Sequence, residues 1–341
     1  MVKKSLCIAL LALTTLSSSA QKKEWFNNVK LSGYGMTQYQ YSDQKGNKSN
    51  SFNLRLFRLV LDGRILNDFY WKAQIQVNGN TSTLGSSPRL VDLFAEWQKY
   101  DYFKVKIGEF KRPFTFDNPL HPIDQGFMGV GQVISKLSGF SDRTGEHPSN
   151  GRDLGLQVQG DFLKNAAGRN LLHYQIGVFN GQGINTKDVD QRKDIIGGLW
   201  VMPVEGLRLG VFGWEGSSAR KGNWTDAAGV NHTGEVRSLP KHRYALSGEY
   251  KFNDWTLRSE YVHSTGYAFA KALTNTNAQD PNFTNCEVNT ALGNKADGFY
   301  GLVIAPVIQK KVHVKARYDL YRPTAEWNSS RTQYEVGADY Y

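Results

Sequence analysis

The chain has almost no cysteine: two in 341 residues, Cys7 and Cys286. Neither a disulfide framework nor a thiolate metal cage can be built from them. Beyond the N-terminus there is no run of eighteen apolar residues, which excludes a transmembrane helix. Catalytic signatures are missing too. There is no Gly-x-Ser-x-Gly elbow, no His-Glu-x-x-His pair and no phosphate loop. Gly129-Val130-Gly131 opens a dinucleotide fingerprint, but Ile134 stands where the third glycine is needed. His173 and His313 have no serine or metal-ligand spacing near them. Basic residues outnumber acidic ones, 41 to 31, for a net charge of +10. They are dispersed and form no aromatic–basic groove, which argues against nucleic acid as a partner. No motif calls for a cofactor.

What is present begins with a leader. Lys3 and Lys4 precede an apolar stretch from Leu6 to Leu13, and Ser17-Ser18-Ser19-Ala20 supplies small residues. This reads as a secretory signal peptide over 1–20, cut after Ala20. Losing Lys3 and Lys4 takes the net charge from +10 to +8. The mature chain, 21–341, is expected to form a single domain.

The mature sequence alternates. Phe69, Trp71, Ala73, Ile75 and Val77 share one phase, and Tyr70, Lys72, Gln74, Gln76 and Asn78 the other. Val312, Val314, Ala316, Tyr318 and Leu320 repeat the pattern against His313, Lys315, Arg317, Asp319 and Tyr321. Period two over about ten residues is what a tilted membrane strand requires. Fourteen such strands are read: 29–41, 52–64, 69–79, 89–98, 103–111, 152–161, 171–179, 194–202, 207–215, 241–252, 255–264, 296–305, 311–321 and 331–341. Arg55 and Arg58 fall in different phases of Phe52–Arg64, the mark of a bulge. Short turns such as Asn253-Asp254 alternate with long connections at 42–51, 80–88, 112–151, 180–193, 216–240 and 265–295. Aromatics gather near the short turns: Phe69, Tyr70, Trp71, Trp97, Tyr100, Tyr102, Phe103 and Trp255. Sorted loops and an aromatic girdle describe an all-β, transmembrane antiparallel barrel in the outer membrane of a Gram-negative bacterium. Tyr340 ends the outward phase and Tyr341 trails it.

The inward phase is charged, so the interior should hold water. Arg55, Lys72, Lys104, Lys106, Arg208, Arg243, Arg258, Lys315 and Arg317 are candidate pore-lining cations. Asp92, Glu96, Asp153, Glu249, Glu260, Asp319 and Glu335 are their acidic counterparts. The third long connection, 112–151, carries Lys111 and Arg112 at its entry, then Lys136, Arg143 and Arg152. It also carries Pro113, Phe114, Phe116, Phe127, Met128 and Val133, more apolar surface than an exposed loop needs. It is expected to fold inward and set the pore width.

Gly63-Arg64-Ile65, Phe69-Tyr70-Trp71-Lys72-Ala73-Gln74 and Lys106-Ile107-Gly108-Glu109-Phe110-Lys111-Arg112-Pro113-Phe114 resemble the phosphate-selective porin O and P family, over most of the mature chain. The resemblance implies an outer-membrane barrel in contact with the lipid bilayer, commonly a homotrimer, with an inward third loop. It implies passage of small anions, with phosphate or polyphosphate in the best-known members. Those barrels have sixteen strands, which leaves 112–151 or 265–295 to supply two more. Of the family's cationic ladder only Lys111 and Arg112 carry over, through the motif. The alternative readings are a non-conducting barrel that binds a ligand or partner through 216–240 and 265–295, and, further off, a barrel enzyme.

Overall fold

The structure is a computed structural model and describes residues 26–78, 88–146, 148–273 and 286–341. The leader read at 1–20 lies outside the described residues. Fourteen strands follow one another: β1 (Phe26–Ser42), β2 (Ser49–Ile65), β3 (Phe69–Asn78), β4 (Arg89–Tyr100), β5 (Phe103–Lys111), β6 (Arg152–Lys164), β7 (Asn170–Phe179), β8 (Asp194–Val201), β9 (Leu207–Thr225), β10 (Asn231–Phe252), β11 (Trp255–Thr265), β12 (Lys295–Ile308), β13 (Val312–Arg322) and β14 (Arg331–Tyr340). They form one sheet in chain order, each strand antiparallel to the next. The sheet is that of a transmembrane β-barrel. Among the described residues no ladder joins β14 to β1.

Each expected strand is found, and the sixteen-strand count is not. The connection 112–151 contains a 3-10 turn, Pro122–Gln125, and a short helix, α1 (Gln132–Leu137), but no strand. In the described part of 265–295 there is one isolated bridge, Phe269 to Val288. The main departure is at 216–240. This is not a loop, because β9 and β10 continue to Thr225 and Asn231 as a long ribbon. Its strands carry Gly216-Ser217-Ser218-Ala219-Arg220-Lys221, with no apolar alternation. A ribbon that projects past the lipid needs none.

Register decides which side chains meet lipid. Leu199, Val211, Leu246 and Tyr261 stand side by side on the outer face through the β8–β9–β10–β11 ladders. Gly198, Phe212, Ala245 and Val262 are their inward neighbours. The outward apolar groups are exposed because lipid, not protein, covers them. The bulge expected in β2 is present at Arg55, where the ladder with β1 slips between Met36 and Thr37. A second bulge lies in β3, at Val77, where its ladder with β2 slips between Phe57 and Arg58. Aromatic rings pack in series beside the short turns, from Trp97 through Tyr100 and Tyr102 to Phe162 and Tyr174. Tyr250, Phe252 and Trp255 form a second group. Tyr341 lies beyond β14, where its N–H donates to Lys311 O at 2.9 Å.

This phase is testable. Leu246→Arg, on the lipid face, should cost about 2–4 kcal/mol of stability if the position lies near the bilayer midplane. Gln175→Arg, on the lumen face, should cost far less. Urea unfolding of the two variants in lipid vesicles reads the difference, and equal costs would refute the assignment of faces.

Candidate pore constriction

The connection 112–151 leaves β5, crosses the interior and returns to β6, and its apolar residues seat it on one wall. Phe114 packs edge-on against Trp214 with ring centres 5.4 Å apart. Phe116 does the same against Phe212 and Trp200, at 5.3 and 5.5 Å. Val133 and Leu137 of α1 belong to the same buried cluster. Burying each of these side chains contributes about 1.5–3 kcal/mol.

Ion pairs then fix the loop's position. Arg112 is fully buried and bonds Glu146 Oε1 at 2.9 Å and Asp153 Oδ2 at 3.0 Å. It therefore ties the start of the loop to its end. Gly139, at φ 88°, makes room for it, since a Cβ there would collide with the guanidinium. Asp142 receives two bonds of 2.7 Å from Arg243 of β10. Burial would raise the Asp142 carboxyl, but the Arg243 guanidinium outweighs it and holds the group well below the ordinary carboxylate range. The contact is therefore present above that range and is lost only as the pH falls well beneath it. Asp117 accepts from Arg258 of β11 at 3.1 Å. Glu260 accepts from the Phe116 and Asp117 N–H groups at 2.5 and 3.1 Å. Trp214 lies at the centre. Its indole donates to Asp194 at 2.7 Å, and Arg112, Lys241 and Arg243 approach its ring to within 4.4–4.8 Å.

Fourteen cations were singled out from the sequence, Arg152 among them, and ten of them face a carboxylate. Lys72 meets Asp92 at 2.9 Å, Lys104 meets Asp161 at 3.6 Å and Lys106 meets Glu96 at 3.8 Å. Arg208 and Arg258 share Glu249, at 2.9 and 2.7 Å. Lys315 pairs with Asp339 at 2.5 Å and Arg317 with Glu335. Arg112 and Arg243 are the loop anchors just described. These two, with Arg258, are buried and hold structure in place without lining a water-filled passage. The other four bond neutral groups. Arg55 approaches Met36 Sδ at 3.9 Å, Lys111 donates to Leu120 O at 2.5 Å and Lys136 to Ser141 O at 3.2 Å. Arg143 is buried and donates to Gly266 O at 2.6 Å.

The wall across from the seat has a different balance. Lys72 and Arg152 both bond Asp92, at 2.9 and 2.7 Å. Arg58 and Lys111 lie within electrostatic reach of the same carboxylate and of Arg152. Arg58 donates to Gln76 Oε1 and to the Tyr34 hydroxyl, both at 3.0 Å, so neither partner neutralises it. Four cations thus gather around Asp92, with Asp117 also within reach of Lys111 and Glu109 of Arg152. His121, from the 3-10 turn of the loop, closes the group against Tyr34 with ring centres 4.3 Å apart. The sequence reading missed Arg58, because the bulge at Arg55 reversed the phase count that would have turned it inward. It missed His121 because no pattern marks a loop residue.

Fold and geometry together define an outer-membrane-type β-barrel with a loop folded into its interior. The family model for phosphate-selective porin O and P matches residues 32–124, which include the Lys106–Phe114 motif and end just past His121. The resemblance seen in the sequence is borne out over that stretch. No curated protein matches by sequence. Among solved structures, Salmonella typhi OmpF in complex with daunomycin superposes with a TM-score of 0.59 at 11% identity, covering 92% of this chain and 86% of that one. The anion-selective porin from Comamonas acidovorans gives 0.58 at 16% identity, covering 91% and 83%. The outer membrane channel DcaP of Acinetobacter baumannii gives 0.53 at 12%, covering 92% and 86%.

Asp142→Asn removes one partner of a buried pair and should cost about 3–5 kcal/mol. It should also loosen the loop, giving larger and noisier single-channel currents in planar bilayers. Adding Arg243→Met removes the stranded charge and should return steadier currents. Unchanged current noise in Asp142→Asn would show that this pair does not hold the loop.

Proposed function

We propose that the chain forms a water-filled outer-membrane channel that prefers small anions. The observation that carries this reading is the convergence of Arg58, Lys72, Lys111 and Arg152 on the single carboxylate Asp92 beside the inward loop. A charged wall in a narrow passage with low-dielectric surroundings concentrates counter-ions and excludes co-ions. Elsewhere along the interior Lys104, Lys106, Arg208, Lys315 and Arg317 each face an acid.

The remaining parts of the reading follow the family resemblance. The leader at 1–20 would export the chain, residues 21–341 would form the one barrel domain, and three copies would assemble. Phosphate or polyphosphate is the proposed solute class, and Lys111 is the residue of the family motif that stands in the cluster.

Planar-bilayer recording of the purified protein tests the proposal. In a tenfold KCl gradient the reversal potential should have the sign of chloride preference. Lys111→Gln and Arg58→Gln should each lower the chloride-to-potassium permeability ratio by about two- to threefold, the effect of one charge at several ångströms in a water-like medium. Phosphate should block chloride current at lower concentration than sulfate if the cluster is a phosphate site. Absence of current would sink the channel, and a cation-selective reversal potential would sink the preference.

A further inference from the structure

His121 stands where the inward loop comes closest to the cationic wall. It is the residue before the Pro122–Gln125 turn, and its Nδ1 accepts the Ile123 N–H at 3.3 Å. With Nδ1 occupied as an acceptor, the proton of the neutral ring is on Nε2. The imidazole is partly exposed and tilts 58° against the Tyr34 ring. Tyr34 in turn accepts from Arg58, so the ring is one residue removed from the uncompensated guanidinium.

The charged groups that act on it come from every neighbouring element. Arg58 of β2, Lys72 of β3 and Lys111 of β5 are cationic, and Asp124 of the loop itself is the one acid. Tyr34 of β1 supplies a neutral face. Burial pushes the imidazole below its ordinary pKa, and the three cations push the same way against Asp124. The ring is therefore neutral at neutral pH and gains its charge only in acid, within a cluster that already repels cations.

Resting on the anion-preferring reading, we propose that His121 is a specificity-determining residue of the channel, one that adds a charge to the constriction in acid and so strengthens its discrimination for anions. Among the described residues His173 and His313 are the other inward histidines. Each is held by a carboxylate, Asp161 at 2.8 Å and Asp254 at 2.8 Å, away from the cluster.

The test is reversal potential in a KCl gradient from pH 7.5 to pH 5, on the full mature chain in planar bilayers. The wild type should gain chloride preference by about threefold on acidification, the factor one added charge gives at several ångströms in a water-like medium. His121→Gln should remove most of that gain, and His173→Gln should keep it. His121→Lys should show the acid-level preference already at pH 7.5, which a misfolded barrel could not mimic. A pH response equal in wild type and His121→Gln, or a His121→Lys channel no more anion-preferring than wild type at pH 7.5, overturns the proposal. The sign of the wild-type reversal potential at pH 7.5 judges the anion-preferring reading by itself, so the two can fail separately.

Discussion

Hydrocarbon offers no partner for a peptide N–H or C=O, and everything else in this molecule follows from that. Thirteen antiparallel ladders join the fourteen strands among the described residues and satisfy the backbone between them without help from side chains. They also force every second side chain toward lipid, so apolar residues are spent on the outside. The interior receives what lipid excludes: lysine, arginine, aspartate, glutamate and glutamine. A lumen so furnished stays wet, and its charges need partners of their own. The cross-strand pairs of β3 with β4, β9 with β10 and β13 with β14 supply them.

The inward loop turns this symmetric arrangement into an asymmetric one. It packs on β9 to β13 and uses their charges as anchors, with Arg243 and Arg258 bound to Asp142 and Asp117. The far wall keeps four cations around Asp92. On the proposed reading, the sign of the passage is set by where compensation fails and not by how many charges of each sign the chain contains. Pairs of buried charge add little net stability, because desolvation offsets their attraction. Their value here is geometric, since each bond to Asp142 or Asp117 fixes a point of a loop that has no strand of its own.

Much of the barrel was legible because a transmembrane strand is a local object. Ten alternating residues such as Phe69–Asn78 carry their whole signal in sequence, and their turns are marked by Asn253-Asp254 and its like. The β9–β10 ribbon past Ser217 was not, since outside the lipid nothing requires alternation. The inward turn of the third loop could be read from Phe114 and Phe116, which would be costly in water. The constriction itself could not. Whether Lys106 lines the pore or Arg112 pins a loop depends on which acid stands opposite, Glu96 or Asp153, and those partners come from other strands. Arg58 was hidden by a one-residue slip, because a bulge reverses the face of everything beyond it.

The anchoring of the loop also orders events in time. It leaves the chain between β5 and β6, yet its seat is made by Phe212, Trp214, Arg243, Arg258 and Glu260, all of them at least sixty residues further on. A segment whose partners are so distant in sequence can settle only after they are in place. The wall must therefore assemble first around an unobstructed bore, and the filter is fitted to it last. Until Phe114, Phe116 and Asp142 find their places the loop cannot narrow the bore, so assembly runs from the wall to the constriction.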